Sequence, residues 1–309
     1  MHRTIQDLRR KYQRKITHEE FSKFETIYHY TSPSALLEIL KTGKLWFSDI
    51  AYVNDESESN YTYKMMGELL SINETNIEQE FYIAILTEVE NRLTDKEPET
   101  LWGYTHKKGF FIASFSNDRD NLSLWNYYTK NQNMAGYNIG FNKNIIHKIS
   151  RVVLGKSPYF VWGNVLYDQN KQKTMLSDAL LDYNKVFISA LAEEKKNVID
   201  SFLGLLFVLS LFFKQEFFKS ENEYRIVIDN YIDPIIKHDC AYENKFREIN
   251  GFFVPYIETS FEKEDIEGIT ISPTIRQEYY EKSVQRMLLN LEYFKALKNV
   301  KKSEIPLRY

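Results

Sequence analysis

At 309 residues and 43% hydrophobic content, the chain can bury a real core, as one large domain or two small ones. A net charge of −3 gives the whole protein no general attraction for nucleic acid. Only 11 glycines, with no G-x-G-x-x-G and no Walker-type lysine loop, argue against a Rossmann or P-loop nucleotide site.

A single cysteine, Cys240, rules out a disulfide within the chain and argues against a cysteine-based zinc site; no metal is expected. The start, Met1-His2-Arg3-Thr4-Ile5-Gln6-Asp7, lacks the apolar core of a signal peptide. The longest uncharged apolar run, Ser201 to Phe213, is too short to cross a bilayer as a helix and reads as a buried core helix. The expectation is a soluble cytoplasmic protein with no membrane partner.

Residues 1–25 form a basic arm, with Arg3, Arg9, Arg10, Lys11, Arg14 and Lys15 set against Asp7. It reads as a solvated helical arm; the alternative is contact with nucleic acid or an acidic partner. Ile27-Tyr28-His29-Tyr30-Thr31 predicts a strand. Ser32-Pro33 then caps a helix with Leu36, Ile39 and Leu40 on its apolar face, and Gly43 ends it. Lys44 to Ser48 is the next strand and Asn54-Asp55 a turn. His29 stands beside a helix N-terminus, where free backbone N–H groups suit an anion; its plain reading is a packed core histidine.

Residues 56–108 read as a helical insertion, with helices at Tyr61–Leu70 and Ile77–Arg92 and a break at Glu97-Pro98-Glu99. Trp102 and Tyr104 carry no evident chemistry. Gly109 to Ser116 is a strand ending in hydroxyl residues, followed by a helix with Leu122, Leu124, Trp125, Tyr127 and Tyr128, and a strand at Tyr137–Phe141. Ser114 and Ser116 project to one face. Hydroxyls beside a large aromatic suit a planar polar ring that stacks and hydrogen-bonds; the plain reading is a turn with ordinary caps and a core tryptophan.

Arg151–Leu154 and Tyr159–Tyr167 read as strands. Residues 173–219 form a second helical insertion, an amphipathic helix to about Lys196 and then the apolar one. Asp233-Pro234 ends the strand that follows. Gly251 to Ile257 is a strand whose Pro255 suggests a sheet edge. Gly268–Pro273 is a further strand, Ile275 to about Leu297 a helix, and Val300–Leu307 a terminal strand. Without repeats or clear linkers, residues 26–309 read as one domain.

The stretch from Ser220 to Asp229 organises the chain. Glu221 and Glu223 stand two apart at the mouth of an apolar, β-branched run. Strand alternation predicts both on one face, with Arg225 below. Like charges so placed repel unless something cationic shares the site. The plain reading is a solvated strand end with an ion pair from Arg225.

Several segments form an ordered set: Tyr28-His29-Tyr30-Thr31, Leu45-Trp46-Phe47-Ser48, Asn54-Asp55, Ser114-Phe115-Ser116, Leu124-Trp125-Asn126-Tyr127-Tyr128, Gly136 with Phe141, Glu221-Asn222-Glu223-Tyr224-Arg225, Pro255-Tyr256 and Ser303 to Arg308. Together they resemble the bacterial domain of unknown function 2971 family over about residues 26–309. That family looks related to the ADP-ribosyltransferase fold. Asn222 to Val227 is similar to the strand carrying the catalytic glutamate of poly(ADP-ribose) polymerases. His29-Tyr30-Thr31 is similar to the opening His-x-Thr segment of DNA-modifying transferases of toxin–antitoxin systems.

The resemblance implies an α+β fold: a split, mostly antiparallel sheet holding NAD, with large helical insertions. It implies an NAD-dependent ADP-ribosyltransferase or NAD glycohydrolase, a toxin or phage-defence effector acting on nucleic acid or protein, with an antitoxin or defence-system partner. NAD would be the substrate. His29 would bind the adenosine-side ribose, with Tyr30, Ser48 and Arg225 in the binding set, and Thr31 would hold the dinucleotide or cap the helix. Ser114 and Ser116 would lie near nicotinamide, with Trp125 or Tyr127 as an aromatic wall. Glu223 would stabilise the oxocarbenium-like transition state and Glu221 would orient or deprotonate the acceptor. Tyr52, Tyr127 and Tyr128 compete to stack on nicotinamide. The other readings are a catalytically inactive ligand- or nucleic-acid-binding module of the same fold, and a nucleic-acid-directed transferase using the basic arm.

Overall fold

The computed structural model describes residues 2–17, 25–52, 56–94, 109–129, 136–153, 160–230, 242–249, 251–274 and 276–306. In chain order its elements begin with α1 (His2–Thr17), β1 (Thr26–Thr31), α2 (Pro33–Thr42), β2 (Lys44–Asp49), α3 (Glu56–Asn73), α4 (Gln79–Leu93) and β3 (Phe110–Ser116). Next come α5 (Leu122–Thr129), β4 (Tyr137–Asn142), α6 (Asn144–Val153), β5 (Phe160–Asn164), α7 (Gln169–Ser189) and α8 (Ala192–Ser210). The chain continues through β6 (Glu223–Asp229), β7 (Lys245–Ile249), β8 (Phe252–Ser260), β9 (Ile266–Ile271), α9 (Gln277–Asn290), α10 (Phe294–Leu297) and β10 (Val300–Lys302). The readings at Asn54-Asp55, Glu97-Pro98-Glu99, Trp102, Tyr104, Asp233-Pro234, Cys240 and Leu307-Arg308, and the side chain of Tyr128, lie outside the described residues.

The chain divides into two compact units. The first joins residues 1–19, 53–109 and 163–219, so the basic N-terminal segment and both helical insertions form one body. Its core is the apolar face of α7 (Leu176, Ala179, Leu180, Tyr183, Phe187) against the nearly all-buried second half of α8, where Phe202 to Ser210 are buried throughout. No described helix is long and apolar enough to cross a membrane.

The basic segment is not the solvated arm that its composition suggests. Ile5, Tyr12 and Ile16 are buried at helical spacing on α1. Two of its cations are spent on α7: Lys11 Nζ meets Asp182 at 2.7 Å and Lys15 Nζ meets Asp178 at 3.6 Å. The Tyr12 hydroxyl donates to Asp182 at 2.8 Å. Gly163 allows α1 to close in, because a Cβ there would stand 2.6 Å from the Ile16 carbonyl oxygen. The helix expected to reach Lys196 stops at Ser189, and α8 begins at Ala192 after Leu191 in the N-cap position.

The second unit, residues 20–52, 110–162 and 220–309, is built on a mostly antiparallel sheet. The strands follow the order β10-β9-β4-β1-β3-β2-β8-β7; β6 pairs with β3, and β5 with β6. One face carries the core: Ile27, Leu45, Phe47, Phe111, Phe115, Ile139, Phe141, Tyr224, Ile226 and Ile257 pack with Leu36, Ile39 and Leu40 of α2 and with residues of α6, α9 and α10. Local signals set the first strand–helix–strand turn. The Ser32 hydroxyl accepts from the Ala35 N–H at 3.3 Å, Pro33 opens α2, and Gly43 closes it at φ 62°, in the left-handed region open to glycine.

The register of β3 positions several of the candidate residues. Along one edge all seven of its residues pair with β6, from Phe110 opposite Asp229 to Ser116 opposite Glu223. A strand has two edges, so β1 and β2 share the other. There β2 pairs only at Phe111 and Ile112, and β1 only at Ser116. Both strands peel away from the same edge, and the backbone of Ala113, Ser114 and Phe115 between them has no strand ladder on that side. The mostly antiparallel sheet is therefore split at its centre.

Several expectations require correction. Glu221 is not on β6. It ends a 3-10 turn at Glu216–Glu221, and Asn222 follows at φ 44°, a left-handed position that asparagine tolerates. Strand alternation begins only at Glu223, so Glu221 and Glu223 do not share a strand face. Arg151 to Val153 close helix α6, an amphipathic element whose Ile145, Ile146 and Ile149 face the core; the β-branched Val152-Val153 read locally as strand.

Pro255 lies inside β8, which is flanked by β2 and β7. The Phe261 N–H bonds the Gly43 carbonyl, so odd-numbered N–H groups of β8 face β2. Pairing with β2 ends at Tyr256, one residue short of Pro255, so the missing N–H breaks no ladder bond. The edge is β7, which its polar sequence concealed. Finally, the last helix breaks between α9 and α10, with Glu292 at φ 62°, and β10 is three residues long.

Candidate functional site

His29 borders the split on the core face, opposite Ile139, and not on the face that Ser116 shares with Tyr28. It follows the last β1 residue that pairs with β3, and its ring turns toward the unladdered segment. Nδ1 lies 3.0 Å from the Ser114 carbonyl oxygen, and the ring is 5.5 Å from that of Phe115. A carbonyl only accepts, so Nδ1 carries the hydrogen and Nε2 keeps an acceptor lone pair. Burial lowers the imidazole pKa below its ordinary 6.5, the bond to Ser114 opposes that shift, and the positive charge of Arg247 reinforces it. His29 is therefore neutral at pH 7.

Ser114 is the one exposed residue of β3; the other six are buried. The exposed Ser114 side chain shows that the face of the sheet is open to solvent at this point. The pleat puts Ile112, Ser114 and Ser116 on one face, together with their β6 partners Val227, Arg225 and Glu223. Glu223 is the diagonal partner of Ser114, a relation that spaces residues by about 7–8 Å. Its carboxylate is buried and held bidentately: Arg225 Nε donates to Oε1 at 2.7 Å and Nη2 to Oε2 at 2.9 Å. The expected ion pair exists, but inside the protein and within one strand.

On the β2 side, buried Ser48 shares that face, opposite both Ile112 and Tyr256. Its hydroxyl accepts from Arg247 Nη2 at 2.5 Å. The Arg247 guanidinium also lies 5.5 Å from the Trp46 ring and 5.9 Å from the Tyr256 ring, which are 5.0 Å apart. No local pattern singled out Arg247. Its partner is 199 positions away, and the strand that carries it was not legible.

Other predicted residues do different work. Ser116 is buried; its hydroxyl donates to the Glu221 carbonyl at 2.7 Å and accepts from the Asp118 N–H at 3.1 Å. The buried Tyr30 hydroxyl donates to the Asp118 carbonyl at 2.8 Å and accepts from the Asn121 N–H at 3.0 Å. Trp125 is fully buried against Tyr30 with ring centroids 4.6 Å apart, and its Nε1 donates to Asp120 at 2.7 Å. These three fix the loop after β3. Thr31 is buried at the end of β1, and the helix cap is Ser32 rather than Thr31. Tyr127 is 71% exposed on α5, and Tyr52 is 51% exposed just after β2. Among the described residues no group of three or more His, Cys, Asp or Glu side chains is placed to hold a metal ion.

Residues 124–226 match the model of a family described as a protein of unknown function (DUF2971). The match covers about a third of the chain and includes Glu223 and Arg225, whereas His29, Ser48, Ser114 and Arg247 lie outside it. No curated protein and no solved structure matches the chain.

Proposed function

We propose that the split in the second unit is an NAD site and that the protein is an NAD-dependent ADP-ribosyltransferase or NAD glycohydrolase. The observation that carries this reading is the interrupted edge of β3: a neutral His29 bordering the gap, an exposed Ser114 at its mouth, and a carboxylate, Glu223, on the adjoining strand. A neutral imidazole with a free acceptor nitrogen suits a ribose hydroxyl. The strand hydroxyl suits the carboxamide of nicotinamide.

The reaction breaks the bond between nicotinamide and C1′ of its ribose. The bonding pair leaves with nicotinamide, and an acceptor oxygen, from water or a macromolecule, supplies the new bond and loses its proton. Glu223 is the fixed negative charge for the oxocarbenium character that exists only near the transition state. Glu221, off the strand, is given no role. The macromolecular acceptor, and a toxin or phage-defence setting with its partner, are part of the proposal only through the family resemblance.

One observation favours the second reading, a module that binds without turnover. The bidentate clamp of Arg225 on Glu223 already compensates the charge that catalysis would use. Nicotinamide release from labelled NAD separates the two. The wild type is expected to release nicotinamide and Glu223→Gln to lose on the order of 10²–10³-fold in rate while still binding NAD. Binding of NAD without release by the wild type would establish the module instead, and absence of both would reject the NAD site.

A further inference from the structure

We infer that α1 is a nucleic-acid-binding ridge, and that Arg3, Arg10 and Arg14 on its outer face take the phosphates of a duplex without regard to base sequence. The inference concerns the first unit alone and goes beyond the reading of the split, on which it does not depend.

Six basic residues stand in the first 17 positions against one acid, in a chain whose net charge is −3. The fold sorts them into two sets. Lys11 and Lys15 are paired with α7, and Arg9 is half-buried, where its charge acts on the buried Tyr183. Arg3, Arg10 and Arg14 are exposed, and none of the three has a hydrogen-bond or ion-pair partner among the described residues. At 3.6 residues per turn, their spacing brings them within about 40° of one another, along about 16 Å of the helix. Buried Ile5, Tyr12 and Ile16 and the pair of Lys11 with Asp182 anchor the opposite side, so the row is held on a docked helix before any ligand arrives.

The helix itself gains little from this row. Its first turn holds no acid, so Arg3 there opposes the macrodipole, and of the three only Arg14 lies where the dipole favours a cation. Guanidinium forks match phosphate oxygens. A duplex presents one charge per about 1.7 Å of its axis, so a straight ridge of this length faces several phosphates at once. Other partners fit less well. Among the described residues of α1 no large apolar side chain is exposed, which leaves nothing to bury in a lipid interface. The aromatic ring of α1, Tyr12, is buried, so no unpaired base can stack on it, which favours a duplex over a single strand. A protein partner would need an anchor that fills a pocket, and the row offers only charge. Asp7 is exposed one turn from Arg3 and from Arg10, and it works against the anion.

Fluorescence anisotropy of the full chain with a labelled DNA duplex of about 20 base pairs, in about 50 mM salt, tests this. The wild type is expected to bind, with affinity falling about forty-fold between about 50 and 200 mM salt, as three phosphate contacts require. Arg10→Gln should weaken binding on the order of tenfold on every duplex sequence and flatten the salt dependence by about one contact. The triple variant Arg3→Gln, Arg10→Gln, Arg14→Gln should fall below detection. Asp7→Asn should strengthen binding about two-fold, the effect of removing one surface charge. Lys173→Gln, in the same unit and paired with Glu68, should match the wild type.

The three arginines are exposed, and unaltered thermal unfolding of the triple variant separates lost binding from lost fold; if that variant is unfolded, the single variants carry the test. Wild-type failure to bind the duplex, or equal affinity and salt dependence in the triple variant, would overturn the assignment. So would poly-glutamate or phosphatidylserine vesicles that compete as well as the duplex at equal charge, which would give the ridge to an acidic protein or to a membrane. The measurement contains no NAD, so its failure leaves the reading of the split untouched.

Discussion

Ser114 and Ser116 stand two positions apart on one face of one strand, yet they serve different parts of the molecule. Ser116 is buried and spends both its donor and its acceptor on the backbone of the loop that follows β3. Tyr30 and Trp125 do the same for neighbouring loop positions. Ser114 is exposed beside a gap in the ladder, where the ring of His29 takes its carbonyl. A hydroxyl whose bonds close onto the backbone holds the fold; one that faces an interrupted edge is available to a ligand. The comparison sorts the candidate residues by where their hydrogen bonds go, which residue type alone does not reveal.

The largest stability effect is expected at the buried pair beside these serines. Arg225→Ala would leave the Glu223 carboxylate buried without its bidentate partner, at a cost of about 3–5 kcal/mol, measured by urea unfolding. A loss below about 1 kcal/mol would mean that the carboxylate is not held as described.

The serines themselves should respond oppositely. Ser116→Ala strands a carbonyl and an N–H at the turn and should lower stability by about 1–3 kcal/mol. Ser114→Ala should change stability by less than about 0.5 kcal/mol, yet weaken NAD binding. Equal stability losses would erase the distinction drawn between the two ends of β3.

The smallest effect concerns His29. Its folded pKa lies below 6.5, so beneath pH 6.5 the unfolded chain binds a proton that the folded chain does not. The stability contributed by neutral His29 is present above pH 6.5 and is lost as pH falls through the folded value. His29→Gln should remove that part of the pH dependence when unfolding midpoints are compared at about pH 7.5 and about pH 5.5. An unchanged slope would place the imidazole in solvent.

Much of the second unit is legible in sequence because its signals are local. Ser32, Pro33 and Gly43 delimit α2, and β-branched or aromatic runs mark β1, β3, β4 and β9. The failures share one cause, that long-range packing overrode local pattern. Val152-Val153 reads as strand, but the isoleucine stripe before it makes α6. Glu221 reads as part of the strand, but left-handed Asn222 breaks the alternation. The edge strand β7 carries little apolar signal because four of its five residues are exposed. The basic segment at the start reads as solvated until Asp178 and Asp182 of α7, some 160 residues later, meet it. Of the candidate site, the strand motifs point to His29, Ser48, Ser114 and Glu223 as candidates. They do not point to Arg247, since only the β2–β8–β7 register brings it to Ser48.

We propose that the interrupted edge of β3 receives NAD. The most direct test places a reporter at Ser114: Ser114→Cys in a Cys240→Ser background, with the rate of alkylation measured with and without NAD or ADP-ribose. Occupation of the split predicts that saturating ligand slows alkylation at least about tenfold. An unchanged rate under ligand concentrations at which calorimetry shows binding would put the dinucleotide elsewhere and contradict the account.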